Sequence, residues 1–251
     1  MLPLALSLAG ALAALIFLWF WLFPYLRRRG DGRLLIGGIK LLTGIPARLL
    51  WRVQYENFQI VPPTPGERGL IIVSNHTSGL DPILIEHGVD FNINWLMWRS
   101  MIFFPLKAFW RWKGTIPIDF SSRDRSAIRQ AMRCIGDGQA IGIFPEGGIE
   151  RPAKHIRPFM QGVGLVVART KAPVLLLHVS GIPERKTAFG SLFRPCRARI
   201  KALEIIDYAG KRDVGWIAED LRERIQVASG WPLADEPLVQ PEDREQPEAN
   251  S

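Results

Sequence analysis

The sequence predicts an α/β fold: a mixed, largely parallel sheet flanked by helices, carried behind an amino-terminal membrane-anchoring helical segment. Three observations predict it. Short apolar runs rich in β-branched residues alternate with stretches whose apolar residues recur at helical spacing. An uncharged run of about 20 apolar residues opens the chain, long enough to cross a bilayer as a helix. The 251 residues, 47% hydrophobic and 22% charged, suffice for one sizeable domain with an appendage and are too few for two comfortable ones.

The opening run, Leu2 to Phe23, contains no charged side chain. Trp19, Trp21 and Tyr25 cluster at its carboxyl end, where aromatic rings favour the membrane interface. Arg27, Arg28, Arg29 and Arg33 follow, and the positive-inside tendency places that end, with the body, in the cytoplasm. A cleaved signal peptide would want a charged start, a shorter apolar stretch and a small-residue cleavage site, so an uncleaved anchor is the expectation. A second stretch, Leu34 to Trp51, is interrupted by Gly37, Gly38, Lys40, Gly44 and Pro46. Two readings stay open for it. It is an interfacial or re-entrant helix with Lys40, Arg48 and Arg52 toward headgroups, or an ordinary amphipathic helix covering the body.

The expected divisions are 1–55 for the anchor and interfacial helix, 56–233 for the catalytic domain, and 234–251 for an acidic, Pro-rich, disordered tail. Between 61 and 66, Val-Pro-Pro-Thr-Pro-Gly is a turn-rich connector. Gly69 to Ser74 reads as a buried strand and Asn94 to Trp98 as another. Met101 to Trp112 reads as a helix. Thr115 to Asp119 reads as a short strand, placed at an edge or end by Pro117. Ser122 to Gly136 is a helix, with Ile128, Met132 and Ile135 at helical spacing. Gly138 to Phe144 is the next buried strand, Gly162 to Thr170 a helix, Pro173 to Val179 a strand and Arg197 to Ile206 a late strand. Val214 to Ala228 closes the domain as an amphipathic helix.

The net charge is +8. From Asp235 onward there are six acidic residues and one Arg, so the preceding body carries +13. A basic body fits an anionic partner: a bilayer surface, an acidic substrate or nucleic acid. Cys134 and Cys196 lack any CxxC spacing and read as incidental thiols of a reducing compartment. His87, His155 and His178 show no metal-ligand spacing and read as structural or surface residues.

Two segments carry chemistry, and both fall just beyond strand carboxyl ends, where ligand sites lie in open α/β sheets. The first is Asn75-His76-Thr77-Ser78-Gly79-Leu80-Asp81-Pro82. A loop or helix entry can fold the five-residue separation so that the carboxylate meets one imidazole nitrogen. The other nitrogen then takes a proton from a substrate hydroxyl. Taken alone, the pair reads sooner as a strand-end histidine bonded to a loop carbonyl than as a catalytic pair. The second segment is Phe144-Pro145-Glu146-Gly147-Gly148, which sets a carboxylate and flexible amides at a strand mouth. Taken alone, it is equally a turn with an exposed Glu. The chain lacks a GxSxG elbow, so direct attack by an acceptor hydroxyl needs no protein nucleophile.

Together, in this order, the two segments resemble the glycerolipid acyltransferase family of lysophosphatidic acid acyltransferase type, with Gly114-Thr115-Ile116-Pro117-Ile118-Asp119 matching its middle stretch. The similarity runs from about Val73 to Val179. It implies an α/β acyltransferase domain behind a membrane-associated element. His76 would be the base, Asp81 its partner, and Glu146 and Gly147 part of the acceptor site. The donor would be acyl-CoA or acyl-carrier protein as co-substrate, with no bound cofactor or metal. The chain departs from the family at two arginines associated with the acceptor phosphate, where it has Phe120 and Ile149. Nearby cations, Arg99, Arg123 and Arg151 first among them, then Lys154 and Arg157, are candidates to replace those arginines. The aromatic stretch Trp95, Trp98, Phe103, Phe104, Phe109, Trp110 and Trp112 lines an acyl slot, dips into the bilayer, or is plain core.

The resulting expectation is an O-acyltransferase of phospholipid biosynthesis at the cytoplasmic face of a membrane. It moves a fatty-acyl group to a lysophospholipid-type acceptor, 1-acyl-glycerol-3-phosphate first, or another lyso-lipid. Membrane lipids are its partners and nucleic acid is not. The competing classes are a metal-dependent hydrolase using His76 and Asp81 as ligands, and a non-catalytic basic protein that binds a membrane surface or nucleic acid. Chelator-insensitive activity separates the first, and salt-sensitive nucleic-acid binding without thioester turnover marks the second.

Overall fold

The computed structural model describes residues 2–102, 105–119, 125–149, 153–184 and 190–234. The expected strand runs pair into one seven-stranded sheet: β1 (Gln54–Glu56), β2 (Leu70–Ser74), β3 (Ile93–Trp98), β4 (Ile116–Ile118), β5 (Ala140–Ile143), β6 (Val174–Ser180) and β7 (Arg199–Ile206). The order across the sheet is β1-β7-β6-β2-β5-β3-β4. Every pair is parallel except β6 with β7. The sheet is therefore mixed and largely parallel.

The central strands are uninterrupted apolar runs because both faces are covered. Ile71, Val73, Ile141, Val174 and Leu176 pack into one core with helices α6 (Arg125–Gly136), α7 (Gln161–Thr170) and α8 (Val214–Ser229). Leu70, Ile72, Leu175, Leu177 and Val179 pack into the other, with α4 (Asp81–Gly88) and the end of α3 (Leu34–Leu49). The parallel strands β2, β3, β4, β5 and β6 all deliver their carboxyl ends to one edge of the sheet.

At the amino terminus, α1 (Leu2–Phe17), a π-helical turn (Leu18–Leu22) and α2 (Phe23–Arg29) run as one helical rod. Ala9–Arg29 is long and apolar enough to cross a membrane by length and composition, and none of its most apolar window is buried. Twenty-one residues at about 1.5 Å each span about 31 Å, the thickness of a hydrocarbon layer. The rod is tied to the body: Arg29 pairs with Asp90 at 2.6 Å, after the end of α4.

The second stretch forms α3 in spite of its glycines and Pro46. Gly37 is required, since a Cβ there would sit 2.0 Å from the Leu26 carbonyl oxygen of α2. The two sides of α3 differ. Ile36, Gly37 and Ala47 are buried against the body, while Leu35, Leu42, Ile45 and Leu49 stand exposed on the other side. The expectation for Lys40 needs correction: it faces inward, and its ammonium donates to the Val89 and Phe91 carbonyls at 3.0 and 2.7 Å. Those carbonyls close the end of α4, and burial lowers the Lys40 pKa to about 8.

The stretch from Met101 to Trp112 is helical only in its second half, α5 (Lys107–Lys113), with a 3-10 turn at Arg99–Met101 and Pro105 between them. Proline cannot donate the helical hydrogen bond, so one continuous helix is not available. Two elements were missed altogether. β1 is only three residues, Gln-Tyr-Glu, and its partner β7 is remote in sequence. α4 begins on Asp81 itself. Cys134 and Cys196 are free thiols. Arg123, Arg151, Phe103, Phe104, Phe120 and the tail 235–251 lie outside the described residues.

Candidate active site

His76 follows β2 by two residues. The residue between, Asn75, is fully buried and extends the sheet with its side chain. Its Nδ2 donates to the Val179 carbonyl at 2.9 Å, and its Oδ1 accepts from the Val179 amide at 2.8 Å. This pair continues the β2–β6 ladder one residue past the strand and fixes where the chain turns into the loop that carries His76.

The loop closes on a single carboxylate. Asp81 Oδ2 accepts from the Thr77 amide at 2.6 Å, the Ser78 amide at 2.8 Å and His76 Nδ1 at 2.9 Å. Its Oδ1 accepts from the Thr77 hydroxyl at 3.0 Å. Asp81 is completely buried. Two backbone amides and an imidazole satisfy a charge that burial alone would make costly. The same four bonds force the loop into a turn that returns His76 over the start of α4. The carboxylate thereby fixes the Nδ1–H tautomer and leaves Nε2 as the basic nitrogen. No described residue hydrogen-bonds Nε2, and the His76 side chain is partly open to solvent.

The ring is also held on its flat side. Phe144 stacks on His76 with ring centroids 4.0 Å apart, and Trp95 stacks on the other face of Phe144 at 4.9 Å. The Trp95 indole lies across Gly142, where a Cβ would come within 2.3 Å of the ring. Its N–H donates to Glu86 Oε2 at 3.3 Å, and Glu86 Oε1 pairs with buried Lys113 at 2.8 Å. Lys113 also donates to Asn92 Oδ1 and the Ile93 carbonyl. A rigid column thus runs from a buried ion pair through two aromatic rings to the imidazole. Within the aromatic stretch, Trp95 belongs to this column, Phe109 and Trp110 are half-buried, and Trp112 is exposed.

Glu146 follows β5, the neighbour of β2, and its carboxylate reaches back to the same loop. It accepts from the His76 backbone amide at 3.1 Å and from the Arg157 amide at 3.4 Å. It is 2% exposed. Burial pushes its pKa up to about 8, while the two amide bonds and the Arg157 charge pull the other way. Its carboxylate therefore faces the protein backbone, not an open pocket. Gly147 sits at φ +80, a backbone angle that favours glycine, and its amide donates to the Phe144 carbonyl to close the turn. Arg99 is exposed just after β3, on the same edge of the sheet.

The column behind His76 was not foreseen, although Trp95, Phe144 and Gly142 are visible in the sequence. Only the pairing of β3 with β5, which sets Trp95 opposite Gly142, brings them together. Arg157, by contrast, stood among the nearby cations and lies close enough to Glu146 for its charge to be felt. His178 is buried, edge-on to Trp231 at 5.0 Å, with its pKa lowered to about 4 by burial. His155 Nδ1 lies 3.1 Å from the Ala153 carbonyl. Among the described residues no three His, Cys, Asp or Glu side chains are grouped to hold a metal ion.

An imidazole with one nitrogen clamped by a buried carboxylate and the other exposed can take a proton from a hydroxyl. Comparison with known proteins points to the same class of chemistry. Residues 52–179 match the sequence model of the acyltransferase family. The fold is similar to that of the 1-acyl-sn-glycerophosphate (LPA) acyltransferase PlsC from Thermotoga maritima, known from its crystal structure. The TM-score is 0.66 at 20% sequence identity, with 90% of this chain and 94% of that one covered. At that identity the likeness is one of fold.

Proposed function

The chain belongs to the acyltransferase family, and from that premise we propose that it moves a fatty-acyl group from a thioester to the hydroxyl of a lysophospholipid-type acceptor, 1-acyl-glycerol-3-phosphate first, at a membrane surface. The observation that carries this reading is the 2.9 Å contact between His76 Nδ1 and the buried Asp81 carboxylate, with Nε2 left unpartnered among the described residues.

His76 Nε2 takes the proton of the acceptor hydroxyl as its oxygen attacks the thioester carbonyl. The imidazolium so formed is stabilised by Asp81. As the tetrahedral intermediate collapses, the carbon–sulfur bond breaks and the proton passes to the departing thiolate. The ester and a free thiol result, with the imidazole neutral again. Thioester cleavage supplies the driving force, and no acyl-enzyme forms. The donor is a coenzyme A thioester or an acyl-carrier protein.

Glu146 holds the His76 backbone from behind, and Arg157, whose amide and charge both reach Glu146, is the cation assigned to the acceptor's phosphate in this reading. The fold neighbour's acceptor supports the choice of a phosphate-bearing lyso-lipid. Membrane association rests on the apolar rod Ala9–Arg29 and on the exposed apolar stripe of α3. Arginines at the carboxyl end of the rod favour placing the body on the cytoplasmic side.

The test is His76→Ala, with turnover followed as thiol release from a labelled acyl thioester against a panel of lyso-lipids. The variant should fold and fall by about 10²–10⁴ in rate, the usual worth of a general base. Transfer at the wild-type rate by His76→Ala would sink the mechanism. Turnover of the panel with no preference for a phosphate-bearing acceptor would sink the choice of acceptor.

A further inference from the structure

A groove leaves the catalytic loop on the side away from Glu146. Its inner part is a cleft of ≈ 490 Å³ that begins at Thr77, next to His76, and passes Ile182, Pro183 and Pro195. Its outer part, ≈ 390 Å³, is the part lined by Arg197 and Arg199. Lys154, Ser180, Gly181 and Trp231 border both parts, so the two form one path. A Cβ on Gly181 would lie 2.0 Å from the Arg197 carbonyl oxygen, which shows how closely the walls meet at the floor.

The basic end is built by strand periodicity. Arg197, Arg199 and Lys201 are exposed while Ala198, Ile200 and Ala202 are buried. One face of this segment is thus a row of cations about 6.8 Å apart. Lys201 lies beside Glu56 in register, and Arg199 donates to Gln54 at 3.3 Å. Arg197 makes no ion pair among the described residues. Among the described residues the one carboxylate in the groove, Glu184, lines the Thr77 part and not the outer part. Among the described residues the groove is therefore mixed beside His76, where Lys154 and Glu184 both line it, and purely cationic at its far end.

That gradient selects between the two substrates of an acyl transfer. The phosphate of a lyso-lipid lies only a few bonds from the hydroxyl that reacts, so it needs cations close to His76. Strand β7 is two strands from β2, about 10 Å across the sheet. A thioester donor built on a nucleotide has the opposite layout, with a long neutral arm carrying the sulfur and phosphates with a purine at the distant end. The arm fits the inner groove, the phosphates meet the arginines, and the Trp231 indole offers a stacking face to the base.

We propose that the groove from Thr77 to Arg199 is the donor channel, and that Arg197, Arg199 and Lys154 bind the phosphates of a nucleotide-bearing acyl thioester. This assignment rests on the acyl-transfer reading of His76 and Asp81.

The test uses the full chain in detergent micelles, with Arg197→Ala/Arg199→Ala and Arg197→Glu. The KM for acyl-CoA should rise about ten-fold in the double variant, as expected for loss of charge-assisted contacts to phosphate, and further in Arg197→Glu. The acceptor KM should move less than two-fold. Adenosine 3′,5′-bisphosphate should compete with the donor in the wild type and weaken in step in the variants. A donor KM within two-fold of the wild type overturns the proposal, as does a rise in the acceptor KM instead. An effect seen only with a carrier-protein thioester overturns the nucleotide assignment. Calorimetric titration with adenosine 3′,5′-bisphosphate needs no turnover and separates the two readings. Binding that the double variant abolishes supports the groove even without acyl transfer. Acyl transfer by a wild type that does not bind the nucleotide overturns the groove alone.

Discussion

Asp81→Asn is the sharpest probe of the centre, because it removes a charge while keeping nearly every contact. With the amide oxygen at the Oδ2 position, the side chain still accepts from the Thr77 and Ser78 amides and from His76 Nδ1, now at 2.6, 2.8 and 2.9 Å. The amide nitrogen then faces the Thr77 hydroxyl, which can rotate to accept. The loop and the tautomer survive. What is lost is the attraction between a full carboxylate and the imidazolium formed during proton transfer. With charge centres about 4 Å apart and an effective dielectric of about 20, that attraction is about 4 kcal/mol. Removing it slows the chemical step by about a thousand-fold.

Turnover should be followed by thiol release at saturating donor and acceptor, with circular dichroism and thermal unfolding as controls on folding. Loss of charge assistance at the two amides should cost about 1–2 kcal/mol of stability, a few degrees in Tm for a chain of this size. The cycle with His76→Ala decides the mechanism. If Asp81 acts through the imidazole, adding Asp81→Asn to His76→Ala should change the residual rate less than three-fold. Full multiplication of the two effects, or an Asp81→Asn enzyme within ten-fold of the wild type, would refute the reasoning.

Three further outcomes follow from the same geometry. Glu146 keeps its proton up to about pH 8 when folded, whereas an unfolded Glu loses it near its ordinary value. Wild-type stability should therefore fall relative to Glu146→Gln as pH rises from about 4.5 to 8, by up to about 1.4 kcal/mol per pH unit; a constant Tm difference across that range would contradict the buried placement. Lys113→Ala leaves the Glu86 carboxylate without its buried partner and should cost about 3–5 kcal/mol, read as a Tm fall of about 10 °C; a change under 1 kcal/mol would show the pair to be solvated. Deleting residues 1–22 should weaken but not abolish flotation with anionic vesicles, and adding Leu42→Ser, Ile45→Ser and Leu49→Ser should abolish it; unchanged flotation of the combined variant would remove α3 from the membrane surface.

How much of this was legible in the sequence depends on where each contact lies along the chain. The His76–Asp81 contact spans five residues, so spacing alone could suggest it. The buried strands β2, β5 and β6 could be read because both of their faces are apolar and their runs are unbroken. The helix on Asp81 was hidden because His76 to Pro82 looks like a loop until the carboxylate is known to accept two amides. Strand β1 was hidden because three polar residues carry no periodicity, and only pairing with β7, some 145 positions away in the Arg199–Gln54 contact, makes them a strand. Lys40 was misread for a related reason. A lysine on an apolar helix reads as a headgroup contact unless one knows that the carbonyls of Val89 and Phe91 wait beneath it.

Glu146 shows best why the His76–Asp81 contact could be read and the groups around it could not. A Pro-Glu-Gly turn at a strand mouth suggests a carboxylate offered to a ligand. In the folded chain both of its oxygens are taken by backbone amides, one of them that of His76 itself. Phosphate recognition then has to come from cations set around this centre by long-range topology. Arg99 arrives with β3, Arg157 with the segment before α7, and the Arg197–Arg199 row with the antiparallel strand β7. These groups are remote from one another in the chain, and no local pattern marks them. Phe120 and Ile149 stand where arginines were expected from the family resemblance, so under the proposed function the phosphate contacts fall to such remote groups. Arg157 is then the test case for the acceptor. Its amide already holds Glu146, so Arg157→Lys, which keeps the backbone and the charge but loses the planar fork, should raise the KM for a phosphate-bearing acceptor several-fold and leave the donor KM alone. A donor KM that rises instead would assign Arg157 to the other substrate.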